Sequence, residues 1–469
     1  MSACLFPDSM LRFANKFFGL LIVVLSVQQA QAFSLGGEHE SWQTDAMGYG
    51  SLRLQAGFPD NGPKNLGEEY RINSPVLTYA FDSSFLDYFG SNGVRAIDQA
   101  MGIMNRLPKV SKARADLSEF VTEGNQRIQQ RAQALNLIDL KSTTLQLLTE
   151  HLGLVGEDHV FDLRQRFLPS GAPACFFDYM VIVRNFDPFT FEPSHYVNGT
   201  LFTYNIVDLC PAFDLGDAIE ATVDPTSFRY TAVASLGGLE FGGYYLNLSR
   251  DDVGGLRYIY RRNNYNNERL PANSFARPFS SPWTPIDLFG TNGFATNSVA
   301  LRGGIEKVKF VKTRYDSLLG TFFKPIVLNY KIPVITNFTL KSQSVTRLVS
   351  QPDIIFSAED LTSPTVIGLF ARSISFLTNG NQNVNLGGPG TISPQMQVTF
   401  TKVGPFFQNF TPFFLDEITA TKGFLWGSFD GSTNEPIVYP RGTSIRALES
   451  QVLTGGNNNS GGGPFNPPF

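Results

Sequence analysis

The hydrophobic pattern of this chain predicts an α+β first domain followed by an all-β, antiparallel, sandwich-like second domain. Three observations carry that expectation. Before residue 261 apolar residues recur at helical spacing in several stretches, interleaved with strand-like runs. Beyond residue 303 they alternate, in segments short enough for half-buried antiparallel strands. Between them, residues 270–303 are rich in Pro, Ser, Asn and Gly without periodicity, as expected of a linker.

The first 32 residues read as a secretory signal peptide. Arg12 and Lys16 precede an uncharged apolar run, GLLIVVLSV at 19–27, and Ala30, Gln31 and Ala32 follow with the small-x-small spacing that signal peptidase accepts. Cleavage after Ala32 would leave Phe33 first. The apolar run is about half of the ~20 residues a membrane-spanning helix needs. A mature chain without a membrane span, in a secreted, periplasmic or cell-surface location, is therefore expected.

In the first domain, residues 33–269, the strand Val76–Phe81 is the first clear element. Residues 93–107 place Val94, Ile97, Met101, Met104 and Leu107 on one helical face, with Asn92 as N-cap and Pro108 as the stop. A polar helical stretch is expected near 118–135. Residues 142–152 form a further helix closed by Gly153. Ser249 and Asp252 have the spacing of a capping box, and Val253, Leu256, Ile259 and Tyr260 supply the buried face of the helix that follows.

In the second domain, residues 304–454, alternating runs occupy 307–311, 325–332, 345–356, 366–376 and 395–403. In the last, Met396, Val398 and Phe400 point opposite to Gln395, Gln397 and Thr399. The tail 455–469 (GGNNNSGGGPFNPPF) has the composition of a disordered segment.

Composition narrows function mainly by exclusion. The net charge is -4 and no basic run occurs, which argues against a nucleic-acid partner. Only 17% of residues are charged, while 42 are Phe, a side chain without a polar handle that suits aromatic cores or an exposed apolar patch. Once the leader carrying Cys4 is removed, Cys175 and Cys210 remain, bound for an oxidising compartment. If residues 176–186 and 200–209 pair as a hairpin with positions summing to 385, Cys175 lies opposite Cys210. A disulfide is then expected.

Two segments carry a resemblance. Residues 76–82 (VLTYAFD) and 251–260 (DDVGGLRYIY) resemble the opening strand and closing helix of matrixin-type metzincin proteases. The resemblance implies a zinc ion on three His of HExxHxxGxxH, with the Glu as general base. The chain departs from that motif. Its four His are His39, His151, His159 and His195, none four apart. The nearest match, residues 149–159 (TEHLGLVGEDH), keeps Glu150, Gly156 and His159 but has Thr149 and Gly153 where two ligands belong. Residues 62–71, 250–260 and 427–434 also resemble uncharacterised exported bacterial proteins, a likeness that implies no activity.

The remaining candidates each have a plain structural reading. Asp251 and Asp252 are paired carboxylates, but they stand in a helix's first turn, where negative charge is favoured. Asp214, Asp217, Glu220 and Asp224 could bind Ca²⁺ or act as acid and base, or simply face solvent. Asp430, Ser432 and Asn434 offer oxygens at alternate positions, as a Ca²⁺ loop or a hairpin turn does. His159 and His195 could assemble with Asp178, yet no Gly-x-Ser-x-Gly elbow presents a nucleophile, and dinucleotide and P-loop motifs are missing. Asn198, Asn247, Asn337, Asn409 and Asn458 lie in glycosylation sequons. No catalytic or cofactor-binding residue is assigned, no cofactor is expected, and the metal question is open. The expectation is a non-enzymatic binding, adhesion or structural protein with an extracellular or envelope ligand. The alternative is a secreted hydrolase of protease-like fold with a carboxylate site at 214–224 or at Asp251 and Asp252.

Overall fold

A computed structural model describes residues 32–35, 70–154, 156–157, 159–167, 171, 178–207, 217–235, 239–271, 273–276, 295–296, 300–315, 323–336, 338–360, 371–379, 390–402, 410–411, 414–415 and 426–454. The architecture is mixed α and β, mostly β, in several sheets.

Strand β1 (Tyr70–Arg71) leads into β2 (Val76–Phe81), which occupies the predicted positions. Leu77 to Phe81 are all buried, so both faces of β2 must be covered and both of its edges paired. Its neighbours come from far along the chain: β3 (Lys309–Lys312) pairs parallel on one side and β6 (Ile354–Glu359) parallel on the other. Strand β8 (Gly390–Thr401) continues the sheet parallel to β6, and β7 (Ala371–Asn379) runs antiparallel to β8. The linker expected at 270–303 therefore does not separate two sheets. Strands from both predicted domains interleave in one, and most of its pairings are parallel. Alternation shows that a strand has two faces but not which partner lies beside it, which is why the antiparallel expectation failed here.

Helix α1 (Ser83–Arg106) crosses this sheet. It starts earlier than predicted because Asp82, at the end of β2, caps it: its carboxylate accepts from the Phe85 N–H at 2.9 Å. Gly90 breaks the helical geometry at φ 60, a value glycine adopts without a Cβ penalty, so two helical segments join at a kink. Phe85 and Phe89 form a tilted pair at 4.7 Å and reach Phe356 and Phe400 of the sheet, with Trp426 and Tyr439 beyond. Phe81, Phe85, Phe89, Phe310, Phe356 and Phe400 all lie in this helix-on-sheet core. Each such ring contributes roughly 1.5–3 kcal/mol on burial. Met396, Val398 and Phe400 face inward as predicted, all at 0% exposure.

Of the polar stretch near 118–135, only α2 (Gln130–Ala134) is helical, and residues 126–128 form a strand instead. Helix α3 (Leu140–Leu152) is capped by Asp139 and ends where Gly153 takes φ 108. A Cβ there would meet the Tyr70 carbonyl oxygen at 2.1 Å, so glycine is required both by conformation and by space. Helix α4 (Arg250–Tyr260) opens with the predicted capping box of Ser249 and Asp252.

The supposed linker contributes strands to a second, antiparallel sheet. Its order is Asn266–Glu268, Ala300–Arg302, β4 (Ile326–Thr336), β5 (Thr339–Val349), Ser274–Ala276, Ala295–Thr296. The predicted strand at 345–356 is thus two elements, divided at Ser350–Pro352 and assigned to different sheets. A buried ionic cluster ties this sheet to the first. Arg71 Nε meets Glu268 Oε2 at 3.0 Å with both side chains at 0% exposure, and the Arg71 guanidinium also donates to the carbonyls of Ile259 and Arg302. Arg347 pairs with Asp353, whose Oδ2 accepts from the Thr78 N–H at 2.8 Å.

Between α3 and α4 two strand pairs are local in sequence. Phe161–Phe167 pairs with Asp178–Val183, and Thr200–Val207 with Asp217–Thr222. The hairpin expected to bring residues 176–186 against 200–209 is not formed, because each strand has a nearer partner in sequence. Cys175 and Cys210 themselves lie outside the described residues.

Candidate functional site

The carboxylates at the start of α4 are fully buried and occupied by backbone. Asp252 accepts from the Ser249 N–H at 2.7 Å, the Ser249 hydroxyl at 2.6 Å and the Ala234 N–H at 2.9 Å, with Val233 N–H at 3.1 Å. Asp251 Oδ2 accepts from the N–H of Ala32 at 2.7 Å and of Asn198 at 2.6 Å. Burial pushes both carboxyls up, and Asp252 beside it raises Asp251 further. Residues 198 and 233–234, and in the uncleaved chain Ala32, converge on these two side chains, which are closed off from solvent. Asn198, part of a sequon, is itself 1% exposed.

Of the acidic run, Glu220 and Asp224 do not converge. Asp214 and the side chain of Asp217 lie outside the described residues, and Asp224 is exposed, its carboxylate closing a turn through the Thr226 N–H at 2.9 Å. Glu220 faces inward and meets His159 Nδ1 at 3.1 Å and Arg229 Nη2 at 3.9 Å, while also accepting from the Phe161 N–H at 3.2 Å. This small polar cluster was not anticipated, because its members are brought together only by strand Asp217–Thr222 lying against residues 159–161. It orients an imidazole as a base would be oriented. Yet none of the hydrogen bonds to His159 among the described residues comes from a hydroxyl or thiol. His195 packs edge-on against Phe161 at 5.0 Å. The side chain of Asp178 is outside the described residues.

At the zinc-motif positions the buried Thr149 hydroxyl donates to the Gln146 carbonyl at 2.7 Å. His151 is buried, and desolvation lowers its pKa to about 4. Glu150 reaches the surface, but the protein crowding it desolvates the carboxyl and raises it to about 7. No group of three or more His, Cys, Asp and Glu placed to hold a metal ion occurs among the described residues. Asp430 accepts from the Ser432 N–H at 2.9 Å between the paired strands Trp426–Ser428 and Ile437–Val438, so that segment is the hairpin turn. No helix among the described residues is long and apolar enough to cross a membrane.

A different surface stands out on the β4–β5 hairpin, whose eleven-residue strands pair from Ile326↔Val349 to Thr336↔Thr339. One face packs inward through Ile332, Val334 and Val345. The outer face carries Val327 opposite Leu348 at one end, exposed by 58% and 41%, and the row Leu301–Ile335–Leu340 at the other. Between them lie Asn329, Lys331, Ser344 and Thr346. At the turn, Phe338 is fully exposed with φ 57. Two-residue hairpin turns favour Gly or Asn at positive φ, and a bulky residue there costs about 1–2 kcal/mol. No packing within the chain offsets that cost, since the ring touches solvent all round.

No protein-family model, curated protein or solved structure matches this chain.

Proposed function

We propose that this chain is an exported, non-enzymatic binding or adhesion protein whose contact surface is the outer face of the β4–β5 hairpin. The observation carrying this reading is the contrast in use. The paired carboxylates a hydrolase would need, Asp251 and Asp252, are spent on backbone N–H groups. Large apolar side chains, Phe338 and Leu340 foremost, are instead held out in solvent on a well-paired hairpin. The leader-like residues 1–32 support export.

A second reading, a secreted hydrolase, is favoured by one observation. Glu150 stands at the general-base position of the resembled motif with its carboxyl near 7, the range suited to proton transfer at neutral pH. One experiment separates the two. The chain from Phe33 onward is incubated with isolated bacterial envelopes and pelleted, alongside a Phe338→Ser/Leu340→Ser variant. Co-sedimentation of the wild type, lost in the variant, is expected. Equal sedimentation of both proteins would remove the hairpin from the proposal, and turnover of casein or ester substrates abolished by Glu150→Gln would replace it with the hydrolase.

A further inference from the structure

We propose that the partner of the β4–β5 hairpin is the surface of an anionic lipid bilayer, with Phe338 dipping into the headgroup region and Lys331 facing the lipid phosphates. This rests on the reading of the hairpin as the contact surface and names what it contacts.

The tip is convex and apolar. Phe338 projects from the turn, and immediately behind it the cross-strand row Leu301, Ile335 and Leu340 lies on the outer face. A single ring on a convex turn, followed by a short apolar row, suits a deformable interface; a protein partner would have to supply a matching pocket. Phe and Leu side chains on the apolar face of a membrane-surface segment bury at the boundary between headgroups and acyl chains. The left-handed backbone at Phe338 points the same way: glycine would relieve it, and only a contact outside the chain gives the ring a role.

Charge decides the kind of lipid. From Ser317 to Pro352 the chain has no Asp or Glu, but it has Lys324, Lys331, Lys341 and Arg347, in a molecule whose net charge is -4. Arg347 is turned inward against Asp353. Lys331 is exposed on the same outer face as Val327, Ile335, Leu340 and Leu348. A basic side chain on the same face as exposed apolar residues is attracted to anionic headgroups, and the attraction fades with added salt.

The test is sedimentation of the full exported chain with vesicles of phosphatidylcholine alone and of phosphatidylcholine with phosphatidylglycerol. Binding about tenfold stronger to the anionic vesicles, weakened by salt, is expected. Phe338→Gly should lower it about tenfold on a fold that glycine relaxes rather than disrupts, and Lys331→Glu should lower it about fivefold on anionic vesicles only. Binding unaffected by Phe338→Gly would overturn the proposal. So would a concentration-dependent dimer lost in Phe338→Gly without vesicle binding, which would make a second copy the occupant. Hairpin-dependent capture by envelopes without vesicle binding would sink the lipid assignment and leave the hairpin reading standing; loss of both would remove both.

Discussion

The start of helix α4 and the outer face of the β4–β5 hairpin invert the usual placement of residue types. Asp251 and Asp252 are charged-type side chains at 0% exposure, while the apolar Phe338 is fully exposed and Leu340 is 62% exposed. The first arrangement is intelligible from hydrogen bonding. Each carboxylate oxygen that accepts backbone N–H groups satisfies donors that would otherwise be buried without partners. It ties residues 198 and 233–234, and in the uncleaved chain residue 32, to one helix terminus. The second has no counterpart inside the chain. Buried polarity here belongs to folding, and exposed apolarity is the place to look for function.

The largest effect should come from breaking a fully buried ion pair. Replacing Glu268 by Ala leaves the Arg71 guanidinium uncompensated and should cost about 3–5 kcal/mol in urea unfolding. The double variant Arg71→Met/Glu268→Leu should recover most of that loss; a double variant as unstable as the single one would show that shape rather than charge pairing governs the site.

His151 gives an effect of middle size and a definite sign. Its imidazole is held neutral in the fold, with a pKa near 4 against about 6.5 when unfolded. As pH falls from 6.5 to 4 the unfolded chain takes up a proton that the folded chain refuses. Stability present in full above 6.5 is lost across that window, by about 3 kcal/mol. The buried carboxylates, raised by desolvation, act oppositely, so the informative quantity is the difference between wild type and His151→Gln. The variant should be less sensitive to acid by that amount, and identical acid profiles would contradict it.

The smallest effect sharpens the contrast most. Phe338→Gly should stabilise the fold by about 0.5–1 kcal/mol, because glycine accepts the positive φ and no packing is lost. A destabilised Phe338→Gly protein would mean that the ring packs within the chain after all.

Local features were legible wherever a residue's role is set by its immediate neighbours. The capping box of Ser249 and Asp252, the stop at Gly153, the strand Val76–Phe81 and the inward face of Met396, Val398 and Phe400 follow from spacing and backbone geometry alone. What was misjudged depends on partners remote in sequence. Val76–Phe81 binds strands more than two hundred residues away. Residues 274–276 and 300–302 look like linker because two or three residues cannot display a period, yet each pairs with one strand of the β4–β5 hairpin and extends the antiparallel sheet. Composition made Asp251 and Asp252 candidate catalysts; only the fold shows which N–H groups they hold. The polar cluster at His159, Glu220 and Arg229 left no signal in spacing, since it forms across strands.

By itself, then, the sequence determined where segments begin and end, which faces are apolar and which short-range caps close the helices, because these depend on interactions within a few residues. The tertiary structure alone decided strand partnership, the burial of Arg71, Glu268, Asp251 and Asp252, and the isolation of Phe338 in solvent. Those outcomes depend on which distant surfaces meet, and alternation along a strand carries the same pattern whatever lies across from it.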